Sequence, residues 1–311
     1  MVGYTVIGAG IAGLVLAQEL KRLGASVEVI EYRERVGGIH ALQPELAGLA
    51  EAASAELGVK LGASAVRVGD EIYAVGRDWH EKLGSSAVAA TGFRAATLPE
   101  LGIYGDRPAG VYVHQAVMDM MLYGLLPGRR VVVYGDNPYA AILSAELLRR
   151  GCEVKLVIAG DADASLGGLD VIRGSIKYVK GRDRVRGVLV NGEWVAADSL
   201  VVSFFKPFNP FPELRGVGQA VIDTYDSSVV MESSRILARE LAAGGGGEAI
   251  EIDSDVPIYP GSKVSRDSRR IIVLIRSGVL FINDKEYVVR NGPAVVELPD
   301  VERAVIRGGP P

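Results

Sequence analysis

The chain has 311 residues, of which 49% are hydrophobic and 23% charged, with a formal net charge of −4. That balance is globular, leaves room for two domains of ordinary size, and excludes the basic footprint of a nucleic-acid binder. No apolar run approaches the ~18 residues of a membrane span, and a single cysteine, Cys152, excludes an internal disulfide or a CxxC redox pair. The first motif starts within a few residues of Met1. No signal peptide fits before it, so a cytoplasmic protein is expected.

Residues 4–7 read as a strand that meets Gly8-x-Gly10-x-x-Gly13. An amphipathic helix follows, with Leu14, Leu16, Leu20 and Leu23 as apolar positions and Gly24 as its stop. A second apolar run, 27–30, ends in Glu31. Gly8 permits a tight turn, Gly10 lets a pyrophosphate approach the backbone, and Gly13 lets helix and strand pack closely. The N–H groups and dipole of the helix N-terminus favour phosphate. Glu31 stands 23 residues after Gly8, near the ~20 expected of the acid that holds ribose hydroxyls. Strand, glycines, helix and acid in register predict a dinucleotide-binding βαβ unit.

A second unit of this type begins at Gly128, with a strand at 131–134, a helix at 140–150 and a strand at 154–158. Its fingerprint is eroded to Gly135-Asp136-Asn137-Pro138-Tyr139-Ala140, and its second strand runs into Ala159-Gly160, with Asp161 late. Asn137 carries a side chain where backbone must approach a pyrophosphate, and Asp136 adds like charge to phosphate. Three readings stay open: NAD(P) binding, another nucleotide in a remodelled loop, or a scaffold that binds none. Cys152, entering the apolar run after Gly151, reads as a small buried hydrophobe.

Residues 166–203 hold short alternating runs, including 187–190 and 194–196 around the turn Asn191-Gly192. Residues 209–243 return to the first domain and end in a helix at 233–242; a break follows at 244–247. Residues 256–300 are β-rich, with turns at Ser277-Gly278, Asn283-Asp284 and Asn291-Gly292. The fold class is therefore α/β: two Rossmann-like three-layer domains, 1–112 with 209–243 and 113–208, and a small C-terminal β module, 248–311.

The flanks of the first fingerprint separate FAD from NAD. Arg33 and Gly37-Gly38-Ile39 follow Glu31, and Ala90-Thr91-Gly92 closes the run 87–90. This resembles the two-dinucleotide-binding flavoproteins, in which FAD lies on the N-terminal fingerprint, the GG loop runs beside the flavin and an ATG turn closes the first FAD segment. Residues 91–136 are similar to the pyridine-nucleotide–disulfide-oxidoreductase-like FAD proteins associated with glycerol-3-phosphate dehydrogenase and dye-linked proline dehydrogenase. Thr91-Gly92, Gly105-Asp106-Arg107-Pro108-Ala109-Gly110-Val111 and Pro127-Gly128-Arg129-Arg130-Val131 carry that resemblance.

The resemblance implies FAD contacts at Gly8, Gly10, Ile11, Ala12, Gly13, Glu31, Arg33, Gly38, Ile39, the strand end at Val66, and Ala90, Thr91 and Gly92. It also implies a second FAD segment at Gly218-Gln219, followed by Asp223-Thr224-Tyr225-Asp226, with Gln219 donating toward a phosphate or ribitol where the family has Asp or Asn. Two departures stand out: the loop after Gly38-Ile39 is short, and the family's cysteine-containing C-terminal element is missing.

His40 follows the GG loop and is the candidate proton donor or flavin-tuning group, with a packing histidine as the alternative. His80, beside Trp79, reads as structural, and His114 as packing between domains. Lys206 and Asn209 lie in FFKPFNPF, a run suited to covering the flavin or to meeting a partner. Arg266 to Arg270 read as a solvated turn. Three scattered histidines and one cysteine make no metal set. The expected function is an FAD-dependent oxidoreductase that takes electrons from NAD(P)H or a partner dehydrogenase subunit without protein thiols. The alternative is an accessory FAD-binding subunit whose flavin relays electrons or is structural; a chain that has lost FAD is the third reading. An oligomer is expected.

Overall fold

Val6, Ile7, Val29, Ile30, Val88 and Ala89 are all buried, as strands covered on both faces must be. In the computed structural model they form a five-stranded parallel sheet ordered Arg215–Gly216, Ala87–Ala89, Gly3–Ile7, Ser26–Glu31, Lys60–Leu61. The structure describes residues 3–160, 168–244, 248–283 and 285–309. Asp161, residues 166–167, 245–247 and Asp284, which carry parts of the expected features, lie outside the described residues. The chain divides into two compact units, residues 1–93 with 207–311 and residues 94–206. The segments Phe93–Ala95 and Phe205–Pro207, where the chain passes between units, pair as a two-stranded ribbon.

In the first unit the fingerprint helix, Ile11–Arg22, buries Leu14, Leu16 and Leu20. Leu23 lies past the helix end and is exposed, so it is a capping residue rather than a core position. Gly24, at φ +87°, turns the chain in the left-handed region. The return helix, Ser227–Ala242, shares the core through Val229, Val230, Ile236, Leu237 and Ala238. It starts ahead of the expected residue 233 because Asp226 caps it, Oδ1 accepting from the Ser228 N–H at 2.8 Å. The helix Pro44–Leu57 is not anticipated by the sequence reading, although Pro44 at its first position and Gly58 in the left-handed region at its end are its signals. An antiparallel sheet, Ser64–Val68, Glu71–Val75 and His80–Leu83, follows.

The C-terminal module has two sheets and a core of its own, including Ile250, Val264, Leu280, Ala304 and Ile306. Tyr259 and Ile272, however, belong to the core around the fingerprint and return helices. Arg270 pairs with Glu232 of the return helix at 2.7 Å, and Arg266 pairs with Glu248 at 2.5 Å. The arginine run is thus ion-paired structure, not simply a solvated turn.

The second unit repeats the plan. Five parallel strands run Val111–Val113, Ser199–Val202, Arg130–Tyr134, Glu153–Ile158, Asp170–Arg173. A four-stranded sheet, Glu193–Ala196, Val185–Val190, Ile176–Gly181 and Tyr104–Gly105, shares a core with it through Val179, Val188, Val132 and Leu200. Its hairpin turns at Asn191 (φ 51°) and Gly192 (φ 90°), the two positive φ values of a type I′ turn.

Candidate functional site

The first site forms where the strand order reverses, between Gly3–Ile7 and Ala87–Ala89, the usual crevice of an open α/β sheet. Gly8, at φ +112°, donates to the Ile30 carbonyl at 2.8 Å, and a Cβ there would lie 2.5 Å from the Ala90 carbonyl oxygen. A Cβ on Gly13 would fall 2.0 Å from the Gly8 carbonyl oxygen. These two glycines are demanded by packing. Gly10 is not: its backbone is extended, and nothing lies within 4 Å of where its Cβ would be. It is the N-cap of the fingerprint helix with no side-chain cap, so Ile11, Ala12 and Gly13 begin a helix whose amide end is open to an anion.

Glu31 is buried and braced from two sides, Oε2 accepting from the Ala9 N–H at 2.8 Å and Oε1 from the Arg33 N–H at 3.0 Å. Burial raises its pKa, and the hydrogen bonds oppose that shift. Gly37 donates to the Ala9 carbonyl at 2.8 Å and bridges Gly10, so the GG loop lies directly beside the second glycine. Gly38 and Ile39 open the short 3-10 helix Gly38–Leu42, which carries His40. His40 is 3% exposed, and burial lowers its pKa to about 4. At neutral pH it is an uncharged imidazole.

The Ala90 N–H reaches the Ile7 carbonyl at 2.9 Å; the Thr91 hydroxyl donates to the Phe208 carbonyl at 2.6 Å; Gly92 sits at φ +72°. Gly218, at φ +61°, presses onto the same helix start: a Cβ there would lie 2.4 Å from the Ala12 Cβ. Ser233 accepts from the Gly218 N–H at 3.0 Å. The second expected FAD segment therefore meets the first. Gln219 is buried and donates to the Thr224 carbonyl at 2.9 Å, bracing its own loop. Asp226, placed near that segment by sequence, is the helix cap described above. Val66 is the centre of Ser64–Val68, paired with Tyr73, and not a strand end. Sequence reasoning missed Ser233, Ser234 and Tyr259; the paired serines inside an apolar helix face were the one available signal.

The other candidates are engaged elsewhere. His80 is exposed on its strand, its ring 6.4 Å from that of Tyr73. His114 is buried within the second unit, Nδ1 2.9 Å from Ser203 Oγ and its ring edge-on to Phe205. Lys206 pairs with Glu100 at 2.9 Å, and Asn209 bonds the Leu214 carbonyl and Phe211 N–H within its own loop. Cys152 is buried and donates to the Gly128 carbonyl, with burial raising its pKa. Among the described residues no group of histidine, cysteine or carboxylate side chains gathers to hold a metal ion, and no helix is long and apolar enough to cross a membrane.

Fold and site define the class: an α/β protein with a Rossmann-like dinucleotide-binding domain and a second unit built on the same plan. A model of the NAD(P)-binding Rossmann-like domain matches residues 6–70. Over 34 residues the chain is 62% identical to the flavin-dependent L-tryptophan oxidase RebO of Lentzea aerocolonigenes, a match spanning 11% of this chain and 7% of that protein. Solved structures under 25% identical share its fold. Thioredoxin reductase of T. acidophilum superimposes with a TM-score of 0.59 at 16% identity, over 78% of this chain and 98% of the other. L-proline dehydrogenase of P. horikoshii gives 0.59 at 19%, over 79% of this chain and 56% of the other.

Proposed function

We propose that the chain is an FAD-dependent oxidoreductase that holds the cofactor in its first unit and works without protein thiols. The observation that carries this reading is the open Gly10 position flanked by three close contacts: Gly8 on Ala90, Gly13 on Gly8 and Gly218 on Ala12. Packing requires glycine at those three and leaves Gly10 free, so the second glycine is accounted for by a ligand's approach. FAD bound there supplies hydride and electron chemistry. The N–H groups of Ile11, Ala12 and Gly13 would hold the pyrophosphate and Glu31 the ribose, with Gly38, Ile39 and Ala90 to Gly92 as the segments that would meet the rest of the cofactor. His40 lies in the short helix that the GG loop opens. The functional division follows residues 1–93 with 207–243 for the flavin, 94–206 for the second nucleotide-type domain, and 248–311 as a module bound to the first; the strand Val111–Val113, expected to close the flavin domain, belongs to the sheet of the second unit.

A second reading is an accessory FAD-binding subunit of a multi-subunit dehydrogenase. It is favoured by the share of the matched L-proline dehydrogenase chain that this chain covers, 56%. One purification tests both. A yellow protein bleached by NADH, NADPH or a small organic donor supports the self-contained enzyme. A yellow protein inert to all of these, but bleached when a partner dehydrogenase and its substrate are added, supports the accessory subunit. A colourless protein that refuses FAD on reconstitution overturns both.

A further inference from the structure

The two units can be compared atom for atom at the equivalent crevice. Tyr134 and Val157 pair as Ile7 and Ile30 do, and Tyr134 and Val202 as Ile7 and Ala89 do. Gly135 and Ser203 therefore stand where Gly8 and Ala90 stand. The fine geometry repeats: Gly135 donates to the Val157 carbonyl at 3.1 Å, Ser203 to the Tyr134 carbonyl at 2.8 Å, and a Cβ on Gly135 would lie 2.6 Å from the Ser203 carbonyl oxygen. The scaffold of a dinucleotide site is intact.

Its mouth is not. Asn137 occupies the place of Gly10, and its side chain is buried in the crevice. Oδ1 accepts from the Ala140 N–H at 3.1 Å, and Nδ2 donates to the Ser203 carbonyl at 2.5 Å. The first bond takes an amide that a phosphate would use; the second spans the crevice from helix start to strand end. Pro138, in the place of Ile11, has no N–H to offer. Ile158, buried, replaces the ribose-binding acid at the place of Glu31. Three independent substitutions remove a phosphate approach, a donor and a ribose anchor.

We propose that the second dinucleotide site is filled from within by Asn137 and does not take NAD(P), so that the electrons reaching the first unit come from a donor other than a nicotinamide bound in the second. The fold implies a nicotinamide there, and the residues do not fit one. Asn137 acts as an internal stand-in, capping the helix and satisfying the Ser203 carbonyl in place of a ligand.

The experiment titrates NADH and NADPH, read by the nucleotide's own fluorescence, into protein carrying Gly10→Glu, which closes the first site to any dinucleotide. With Asn137 intact, no saturable binding is expected. Adding Asn137→Gly with Pro138→Ala frees the crevice and restores an amide donor, and affinity is expected to rise at least about tenfold, a gain of roughly 1.4 kcal/mol. Saturable binding with Asn137 intact, or unchanged affinity in the folded opened variant, overturns the proposal. Should Asn137→Gly unfold, Asn137→Ser keeps the cap and gives up the reach to Ser203; a rise in its affinity supports the proposal and no change overturns it. The readout is nicotinamide binding alone. Failure of the flavin reading shows separately, as a colourless protein without the Gly10 substitution.

Discussion

Ser234 of the return helix donates its hydroxyl hydrogen to the Ala12 carbonyl of the fingerprint helix at 2.9 Å, across 222 positions of sequence. Ser233, beside it, holds the Gly218 N–H. These two small side chains let the helices approach and tie both expected FAD segments to one helix. Ser234→Ala removes a buried hydrogen bond and should cost about 1–2 kcal/mol in urea unfolding. Ser234→Thr keeps the hydroxyl and should recover most of that loss; if both variants unfold like the parent, the bond contributes nothing measurable.

The glycines of the first fingerprint should divide into two behaviours. Gly13→Ala drives a methyl to 2.0 Å from the Gly8 carbonyl oxygen, and overpacking of that kind costs about 1–3 kcal/mol. Gly10→Asn meets no atom within 4 Å of its Cβ, so the apoprotein should melt within a few degrees of the parent while FAD content falls sharply. Thermal melting of the apoprotein, beside absorbance of the reconstituted protein, separates the two.

His40 sets an acid limit on stability. Its folded pKa is lowered by burial to about 4, against ~6.5 for an unfolded histidine. Folding therefore favours the neutral ring. The contribution is whole above the unfolded value and is lost as pH falls from ~6.5 through about 4, reaching roughly 2–3 kcal/mol by pH ~4.5. Urea midpoints of the parent and His40→Gln, measured from neutral pH downward, should differ in this window, with the parent falling more steeply. Parallel curves would show that the ring is not buried in solution.

Glu232 shows the opposite sign. It is buried; that burial is outweighed by hydrogen bonds and charge from Arg270 and Arg235, which hold its pKa below the usual carboxylate range. The pairing stabilises the fold above the unfolded carboxylate value and is lost as pH falls through the lowered folded one. Arg270→Ala leaves the carboxylate underpaired and should cost about 1–3 kcal/mol at neutral pH. The gap between variant and parent should close in acid, where Glu232 is protonated, as melting curves at several pH values can record.

Tyr259 reaches out of the C-terminal module to donate to the Gly216 carbonyl at 3.1 Å, two residues before Gly218. It is buried, and burial pushes its pKa well above the usual range. Tyr259→Phe keeps the ring and loses the bond, and should lower stability by about 1 kcal/mol. Under the flavin reading it should also speed FAD release, measured by flavin fluorescence on dilution, since the loop carrying Gly218 loses its anchor.

Much of this was legible in sequence because it depends on local geometry. The turn at Gly8, the helix stop Gly24 and the Asn191-Gly192 hairpin are backbone demands, each at positive φ, and the α/β duplication follows from periodicity. The capping role of Asp226 and the helix Pro44–Leu57 were missed although their signals are local. The apolar weight of 233–242 draws the expected helix start late, and 44–57 buries only Ala50 and Ala53, too thin an apolar stripe to stand out by periodicity.

What sequence alone determined is the strand–turn–helix chemistry of two nucleotide-type units, one with its glycines and acid, one without. Tertiary structure decided why each glycine is there. Packing against Ala90, Gly8 and Ala12 requires Gly8, Gly13 and Gly218, whereas Gly10 faces open space. It decided too that Asn137 turns inward to Ser203, 66 residues away. Apart from the contact of Gly13 with Gly8, those facts depend on contacts between segments far apart in the chain, which no local pattern of residues specifies.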